Sequence, residues 1–342
     1  MPDELFPKDK SPTEAPRVAI EDIPSQKGSF VGAYLVKSKT LAESKTGSLY
    51  LRLKLGDASG DIDAFVWDNA KEVAETIHKG QVVLVKGKGK IHQQRPNLMV
   101  HRIRPALSDE YNLDDIVSGS EQTANEAFDF VKETVEEVHD SDYKALLDEL
   151  FADEATVARF KLAPGAKAVH HAFVGGLIVH TASMLHICKC VVGLYEDLNA
   201  DLLITSCILH DLGKLKEYSE DLVIERTTRG RLWGHIVISI LMVEGYINKL
   251  DNFPESKKEE LYHILISHHG SLEWGSPAVP MTLEAVALHY IDNLDAKVNQ
   301  FRSVMKSRKD PDYEGWTTFD RLLSRYLYLG KPKAASENRE ED

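Results

Sequence analysis

Cysteine is scarce in this chain and long apolar runs are missing, and each lack removes a class of protein. Three cysteines, Cys188, Cys190 and Cys207, stand among 342 residues. They cannot complete a disulfide framework, and their Cys-x-Cys spacing lacks the second pair that a structural zinc site would need. A reducing cytoplasm is the expected setting. The opening stretch MPDELFPKDKSPTEAP has no apolar segment of the signal-peptide kind, and apolar segments such as Phe173 to Val179 stop at a histidine. Secretion and a membrane partner are both disfavoured. Positive charge is also short: 41 Lys and Arg face 54 Asp and Glu, a formal charge of −13. Taken alone, that balance argues against a chain that coats nucleic acid or an anionic surface. What remains, with 43% hydrophobic and 28% charged residues, is an ordinary globular composition. The length suits two domains of ~100–200 residues each.

Composition changes along the chain. Residues 1–24 and 331–342 are rich in Pro, Ser and charge without a hydrophobic period, and both read as flexible tails, the second acidic. Residues 25–105 carry short alternating runs, FVGAYLVKSKTL, LYLRLKL, DIDAFVW, QVVLVKGKGKI and LMVHRI, with a helical break near Asn69 to His78. Five such strands with one helix are the layout of an OB-fold barrel. An acidic, punctuated stretch at 106–121 reads as a linker. Beyond it, in 122–330, helical periodicity dominates: Ala127 to Leu150, Phe173 to Leu198, Asp201 to His210, His235 to Leu250, Lys257 to His268 and Thr282 to Phe301. A short hairpin is expected near Leu222 to Leu232. The fold class is thus multidomain, an all-β OB-fold barrel followed by an all-α domain.

The charge divides unevenly between these parts. Residues 25–105 hold 14 Lys/Arg against 7 Asp/Glu, a net +7, so the rest of the chain holds 27 against 47, a net −20. In LYLRLKL, strand alternation sends Leu49, Leu51, Leu53 and Leu55 to one face and Tyr50, Arg52 and Lys54 to the other. An aromatic ring between cations is how single-stranded nucleic acid is held: bases stack on rings while Lys and Arg follow phosphates. Phe65 and Trp67 on the next strand, and Lys86, Lys88 and Lys90 on another, would extend that platform. Alternatively, Phe65 and Trp67 fill the barrel core and the lysines protect exposed edges.

Ten of the 14 histidines fall between residues 170 and 289: 170, 171, 180, 186, 210, 235, 263, 268, 269 and 289. His180 shares a helical face with Leu177 and Met184, and His210 with Leu203 and Cys207; Lys214 lies one turn beyond. His268 follows Leu261 and Leu265, and Asp292 follows Ala285 and Leu288. A charged group on an apolar stripe is costly unless paired or bound to metal, and four helices each present a polar group inward. Histidine and carboxylate together suit borderline divalent metals, with carboxylate and water shifting the preference toward Mn and Mg.

In the order His180, His210-Asp211, His235, His268-His269 and Asp292, the chain resembles the HD-domain superfamily of metal-dependent phosphohydrolases. More closely it looks like the YhaM-type 3′-5′ exoribonucleases, which join an OB-fold to an HD domain. The matching stretches are PGAKAVHHAFVGGLIVHT, ILHDLGKLKEY, GHI, ISHHGSLEWGSPAVPMTLEA and LHYIDNLDAK. One departure is Gly165 in PGAK, where the family pattern has PAAK. The resemblance implies two divalent cations, Mn first, with Mg, Fe or Co as alternatives. His180, His210, Asp211 and Asp292 would hold one; Asp211 would bridge to a second, held by His235 and one or both of His268 and His269. Asp211 and Lys214 would be catalytic, Lys214 offsetting phosphate charge while a water activated by the metals attacks the terminal phosphodiester. The implied activity is 3′-5′ hydrolysis of single-stranded RNA, or DNA, to nucleoside 5′-monophosphates, and a homo-oligomer is compatible with it.

Other residues and readings stay open at this level. His170, His171 and His289 would orient ligands, contact substrate or serve structure. His186, His263, Cys188 and Cys190 read as packing or solvated residues, and Arg226, Arg229 and Arg231 as phosphate contacts or a solvated charge run. A phosphohydrolase of free nucleotides is the second enzymatic reading, which the basic barrel disfavours. A non-catalytic nucleic-acid-binding regulator is the third, which the complete ligand set disfavours.

Overall fold

A computed structural model of the protein describes residues 18–92, 95–117, 121–165, 175–219, 221–307 and 315–330. Strand alternation builds the first domain. β1 (Ser29–Glu43), β2 (Leu49–Asp57), β3 (Gly60–Val66), β4 (Val82–His92) and β5 (Arg95–Pro105) close in the order β1-β2-β3-β5-β4, with α1 (Ala70–Thr76) between β3 and β4. All pairs are antiparallel except β3 with β5. Leu51, Leu53 and Leu55 are fully buried and pack with Ile62, Ala64, Val66, Val83, Val85, Leu98 and Val100. The same alternation sends Phe65 and Trp67 outward, so the core-filling alternative for these two rings fails. Leu49, expected on the inner face, begins its strand at the barrel rim and is exposed. The expected tail also ends earlier than residue 24: Ile20 and Ile23, around a 3-10 turn at Ile20–Asp22, are buried in the barrel core.

Part of the expected linker is structured. α2 (Leu113–Ile116) buries Ile116 against Ala33, Leu35 and Val82 of the barrel, where Leu222 and Val223 of the second domain also pack. Lys79 and Glu225 pair across the same junction at 2.5 Å. A cleft of about 1010 Å³ runs between the domains, lined by Lys37 and Asp61 on the barrel side and by Arg159, Lys214 and Tyr218 on the helical side.

The second domain is built from α3 (Glu121–Val135), α4 (Ser141–Ala152), α5 (Glu154–Leu162), α6 (Gly176–Val192), α7 (Ala200–Leu209), α8 (Lys214–Glu217), α9 (Thr228–Ile247), α10 (Glu255–Ser267) and α11 (Leu283–Ser307). The single helix expected from Ala127 to Leu150 is two helices. Asp140 ends the break by accepting the backbone N–H groups of Asp142 and Tyr143 as an N-cap. α6 and α7 are apolar nearly all round and therefore sit at the centre, with Leu177, Met184, Leu185, Leu203, Cys207 and Leu209 fully buried. The hairpin expected near Leu222 to Leu232 does not form. One bridge joins Tyr218 to Arg226, and Thr227 then caps α9 through the Gly230 N–H, which places Arg229 and Arg231 on a first helical turn. The segment 315–330 folds back through the Trp316–Tyr328 and Asp320–Arg325 bridges and packs Leu323 and Leu327 on Val304 and Phe301 of α11. The expected acidic tail and His170 and His171 lie outside the described residues.

Candidate metal centre and nucleic-acid interface

The two central helices carry polar groups into an apolar interior. α6 brings His180 and the end of α7 brings His210 and Asp211, all at most 4% exposed. α9 adds His235, the end of α10 adds His268 and His269, and α11 adds Asp292. The ligand atoms of His180, His210 and Asp211 lie within 4.8 Å of one another, as do those of His235, His268 and His269. Asp211 links the two groups. Its Oδ2 lies 3.2 Å from His210 Nε2 and 3.9 Å from His180 Nε2, and its Oδ1 lies 3.4 Å from His235 Nε2 and 4.0 Å from His268 Nε2. Asp292 Oδ1 is 3.3 Å from His180 Nε2, and His235 and His269 face each other Nε2 to Nε2 at 3.3 Å.

All five imidazoles are fixed from behind. Nδ1 donates to the Cys207 carbonyl in His210 (2.8 Å), to the Leu265 carbonyl in His268 (2.7 Å) and to the Trp274 carbonyl in His269 (3.1 Å). In His180 it meets Asp295 Oδ2 at 2.7 Å, and in His235 Glu217 Oε2 at 3.1 Å. A backbone carbonyl can only accept, so Nδ1 carries a proton in His210, His268 and His269, and in the neutral rings it is Nε2 that turns a lone pair toward the centre. That is the second-contact arrangement usual behind metal-bound histidine. His210 Nε2, His268 Nε2 and Asp211 Oδ1 are buried with no hydrogen-bond partner among the described residues. Each such orphan costs ~1–3 kcal/mol, an outlay that a bound cation reverses. The nitrogen and carboxylate donors fit a borderline divalent metal.

Burial and charge set the protonation states. Burial, with His210 and His269 beside it, holds His268 well below the usual histidine range. His180 goes the other way: burial opposes its charge, but hydrogen bonds to Asp292 and Asp295 outweigh it and raise the group to about 9. Burial pushes Asp211 up, but the Lys214 ammonium beside it outweighs that and holds the carboxyl well below the usual range. Lys214, against Asp211 Oδ2 at 2.5 Å, is raised by that carboxylate despite its own burial.

Every expected ligand and Lys214 thus reaches one centre. Glu217 and Asp295 were not anticipated. Glu217, 1% exposed, holds His235 through one oxygen and Arg226 Nε at 3.1 Å through the other. Its signal was its place one α8 turn beyond Lys214, and that of Asp295 its place one turn beyond Asp292. Arg229 lies over the Trp233 ring at 4.7 Å and Arg226 is engaged with Glu217. His186 stacks on Phe130, and His263 Nε2 accepts the Met281 N–H, so both serve packing and local structure.

On the barrel, Tyr50 stacks on Trp67 at 4.9 Å and lies 6.1 Å from Phe65. Strand register continues this face across four strands: Arg52, Phe65, Met99 and Lys88 form one row, and Lys54, Asp63, Asn97 and Lys90 the next. Lys86 shares the outward side of β4, next to a register shift at Gly87. Met99 was not foreseen. Neither was the pairing of Arg52 with Asp63 at 3.0 Å and of Lys54 with Asp61 at 3.6 Å. Asp61 also pairs with Lys37, so the row borders the interdomain cleft.

Residues 35–106 match the OB-fold nucleic acid binding domain family and residues 177–297 the HD domain family. The 3′-5′ exoribonuclease YhaM of Bacillus subtilis (strain 168) is 38% identical over 293 residues, covering 84% of this chain and 91% of the relative. The chain belongs to the YhaM family of 3′-5′ exoribonucleases. The YhaM protein of Halalkalibacterium halodurans is 33% identical over 267 residues, 78% of this chain and 82% of that one. The YhaM match extends through both domains, so the barrel and the histidine centre belong to one family architecture. No described helix is long and apolar enough to cross a membrane.

Proposed function

We propose that this YhaM-family chain is a metal-dependent 3′-5′ exonuclease that hydrolyses single-stranded RNA to nucleoside 5′-monophosphates. The observation that carries the reading is the convergence of four rear-fixed imidazoles on Asp211, with a fifth, His269, against His235, and with buried donor atoms left unpartnered, in a chain that also presents a cationic aromatic barrel face. Two divalent cations, manganese first, would be held by His180, His210, Asp211 and Asp292 on one side and by Asp211, His235 and one or both of His268 and His269 on the other. When bound, they supply positive charge that acidifies water and offsets charge on phosphoryl oxygens.

The protein's own residues do the rest. Lys214, fixed by Asp211, places an ammonium beside the reacting phosphate. Tyr50, Phe65 and Trp67 stack bases while Arg52, Lys54, Lys86, Lys88 and Lys90 follow phosphates, and the strand runs past Asp61 into the cleft toward Lys214. Residues 25–105 act as the binding domain and 122–330 as the hydrolytic one. The reading includes a cytoplasmic setting and self-association.

The test is purified protein with Mn²⁺ on 5′-labelled single-stranded RNA, the same RNA blocked at its 3′ end, single-stranded DNA and free nucleotides. Stepwise shortening from an open 3′ end supports the reading. Release of phosphate from free nucleotides alone supports the other phosphohydrolase reading, and a mobility shift without cleavage supports a binding protein.

A further inference from the structure

His289 lies on α11 three residues before Asp292 and therefore on nearly the same side of that helix. Its Nδ1 lies 2.8 Å from the carbonyl oxygen of His268, which can only accept, so Nδ1 carries the proton. In the neutral ring Nε2 is then an acceptor, and it makes no hydrogen bond among the described residues. The ring is held tightly. Gly270, at φ +77°, packs so close that a Cβ there would lie 2.2–2.4 Å from three ring atoms of His289. The Trp274 ring stands 5.9 Å from it at 38° and is 57% exposed. Trp274 is itself anchored to the centre, since its carbonyl accepts from His269 Nδ1 at 3.1 Å.

The centre is most accessible on this side. His180, His210 and His268 are at most 1% exposed, whereas the side chains of His235 and Asp292 are 15% and 19% exposed. An exposed indole and a fixed hydrogen-bond acceptor therefore lie side by side where the metal centre meets solvent. A base has a face to stack, and a ribose has hydroxyls to donate; a phosphate has neither. We propose that Trp274 and His289 form the subsite for the 3′-terminal nucleoside of the substrate. The indole stacks on its base, and His289 Nε2 accepts a hydrogen bond from one hydroxyl of its ribose 2′,3′-diol. This rests on the exoribonuclease reading above and adds to it a contact to the terminal sugar, which separates RNA from DNA only where the hydroxyl held is the 2′ one.

The experiment compares three single-stranded RNAs that differ only in the last nucleotide: ribose, 2′-deoxyribose or 3′-deoxyribose. Wild-type protein should remove the ribose end about tenfold faster, in kcat/KM, than one of the two deoxy ends, the size expected of one lost hydrogen bond. In His289→Ala that preference should vanish, the ribose and deoxy ends being removed at equal rates. His289→Gln, which keeps an acceptor, should restore part of it. Trp274→Ala should raise KM for all three substrates about tenfold or more. Metal content is measured for each variant. Persistence of the preference in His289→Ala, absence of any preference in wild type, or loss of metal as the sole change would overturn the subsite. So would an unchanged KM in Trp274→Ala accompanied by a smaller oligomer, which would assign that indole to contacts between copies of the chain. Those results leave the exoribonuclease reading intact provided wild-type protein still shortens RNA from its 3′ end. No shortening by wild-type protein overturns both.

Discussion

Asp211 is the residue on which both histidine groups depend, with one oxygen toward His210 and Lys214 and the other toward His235 and His268. Asp211→Asn keeps the shape but removes the charge. It should reduce RNA hydrolysis by at least a thousandfold, in the range lost with other residues of a catalytic unit, while leaving affinity for single-stranded RNA within a few-fold in a filter-binding assay. Glu217 offers a milder case. Glu217→Gln weakens the acceptor behind His235 and should lower divalent-metal affinity ~10–100-fold, as loss of such a partner does elsewhere; titrating activity against Mn²⁺ measures it. His180 supplies a pH dependence. Asp292 and Asp295 outweigh its burial and raise it to about 9, so a metal held as proposed would have to displace a proton to reach Nε2. Metal affinity should therefore increase as pH rises toward 9, with proton release at pH 7.5 visible by calorimetry in buffers of different ionisation enthalpy. An affinity flat between pH 6.5 and 8.5 would show that no proton is displaced from His180. Most of these residues were legible in the sequence, because a polar group on an apolar helical stripe marks itself. Glu217 and Asp295 were not, because a carboxylate that serves a histidine from behind has the same spacing as any acidic residue on a helix.

Helix ends and crossings position these side chains. Gly213 follows the His-Asp pair, and its N–H donates to Ser239 Oγ of α9 at 2.7 Å. A Cβ at this position would lie 2.0 Å from the His235 carbonyl oxygen and 2.6 Å from the Ser239 nitrogen, both backbone atoms. Gly213→Ala must then push α9 away from α8 and carry His235 with it. It should cost ~1–3 kcal/mol of stability, as overpacking does, and lower activity more than the fall in folded fraction explains; thermal melts and kcat on the same preparation separate the two. Helix periods and the five strands followed from hydrophobic pattern alone. The errors came where local chemistry overrode period: the Asp140 cap divides one apparent helix into two, and the Thr227 cap begins α9 where Arg and Thr had suggested strands. Caps depend on one side chain meeting one N–H, and a window of apolar spacing averages over that.

Across the whole molecule, a net −13 chain carries a barrel segment of net +7, and the acidic remainder confines attraction for a polyanion to that domain. The barrel's cations do not all stand free, since Arg52 and Lys54 pair with Asp63 and Asp61 on the next strand, contacts invisible until the register is known. Both pairs are largely exposed, so each is worth little and an arriving phosphate can compete for the cation. On the proposed reading, the stacked Tyr50–Trp67 pair should then bear more of the affinity than charge counting suggests. Trp67→Ala combined with Tyr50→Ala should raise KM for RNA of twenty or more nucleotides by at least tenfold, at ~1–3 kcal/mol per stacked base. The same double substitution should leave kcat, and the KM for a dinucleotide, within a factor of two, if a dinucleotide fills the proposed metal centre without reaching the barrel. Raising salt should weaken long-RNA binding in both proteins with nearly the same slope, since the rings neutralise no phosphate. Equal loss on long and short substrates would instead place those rings in folding rather than binding, and the barrel would then have no part in holding the strand.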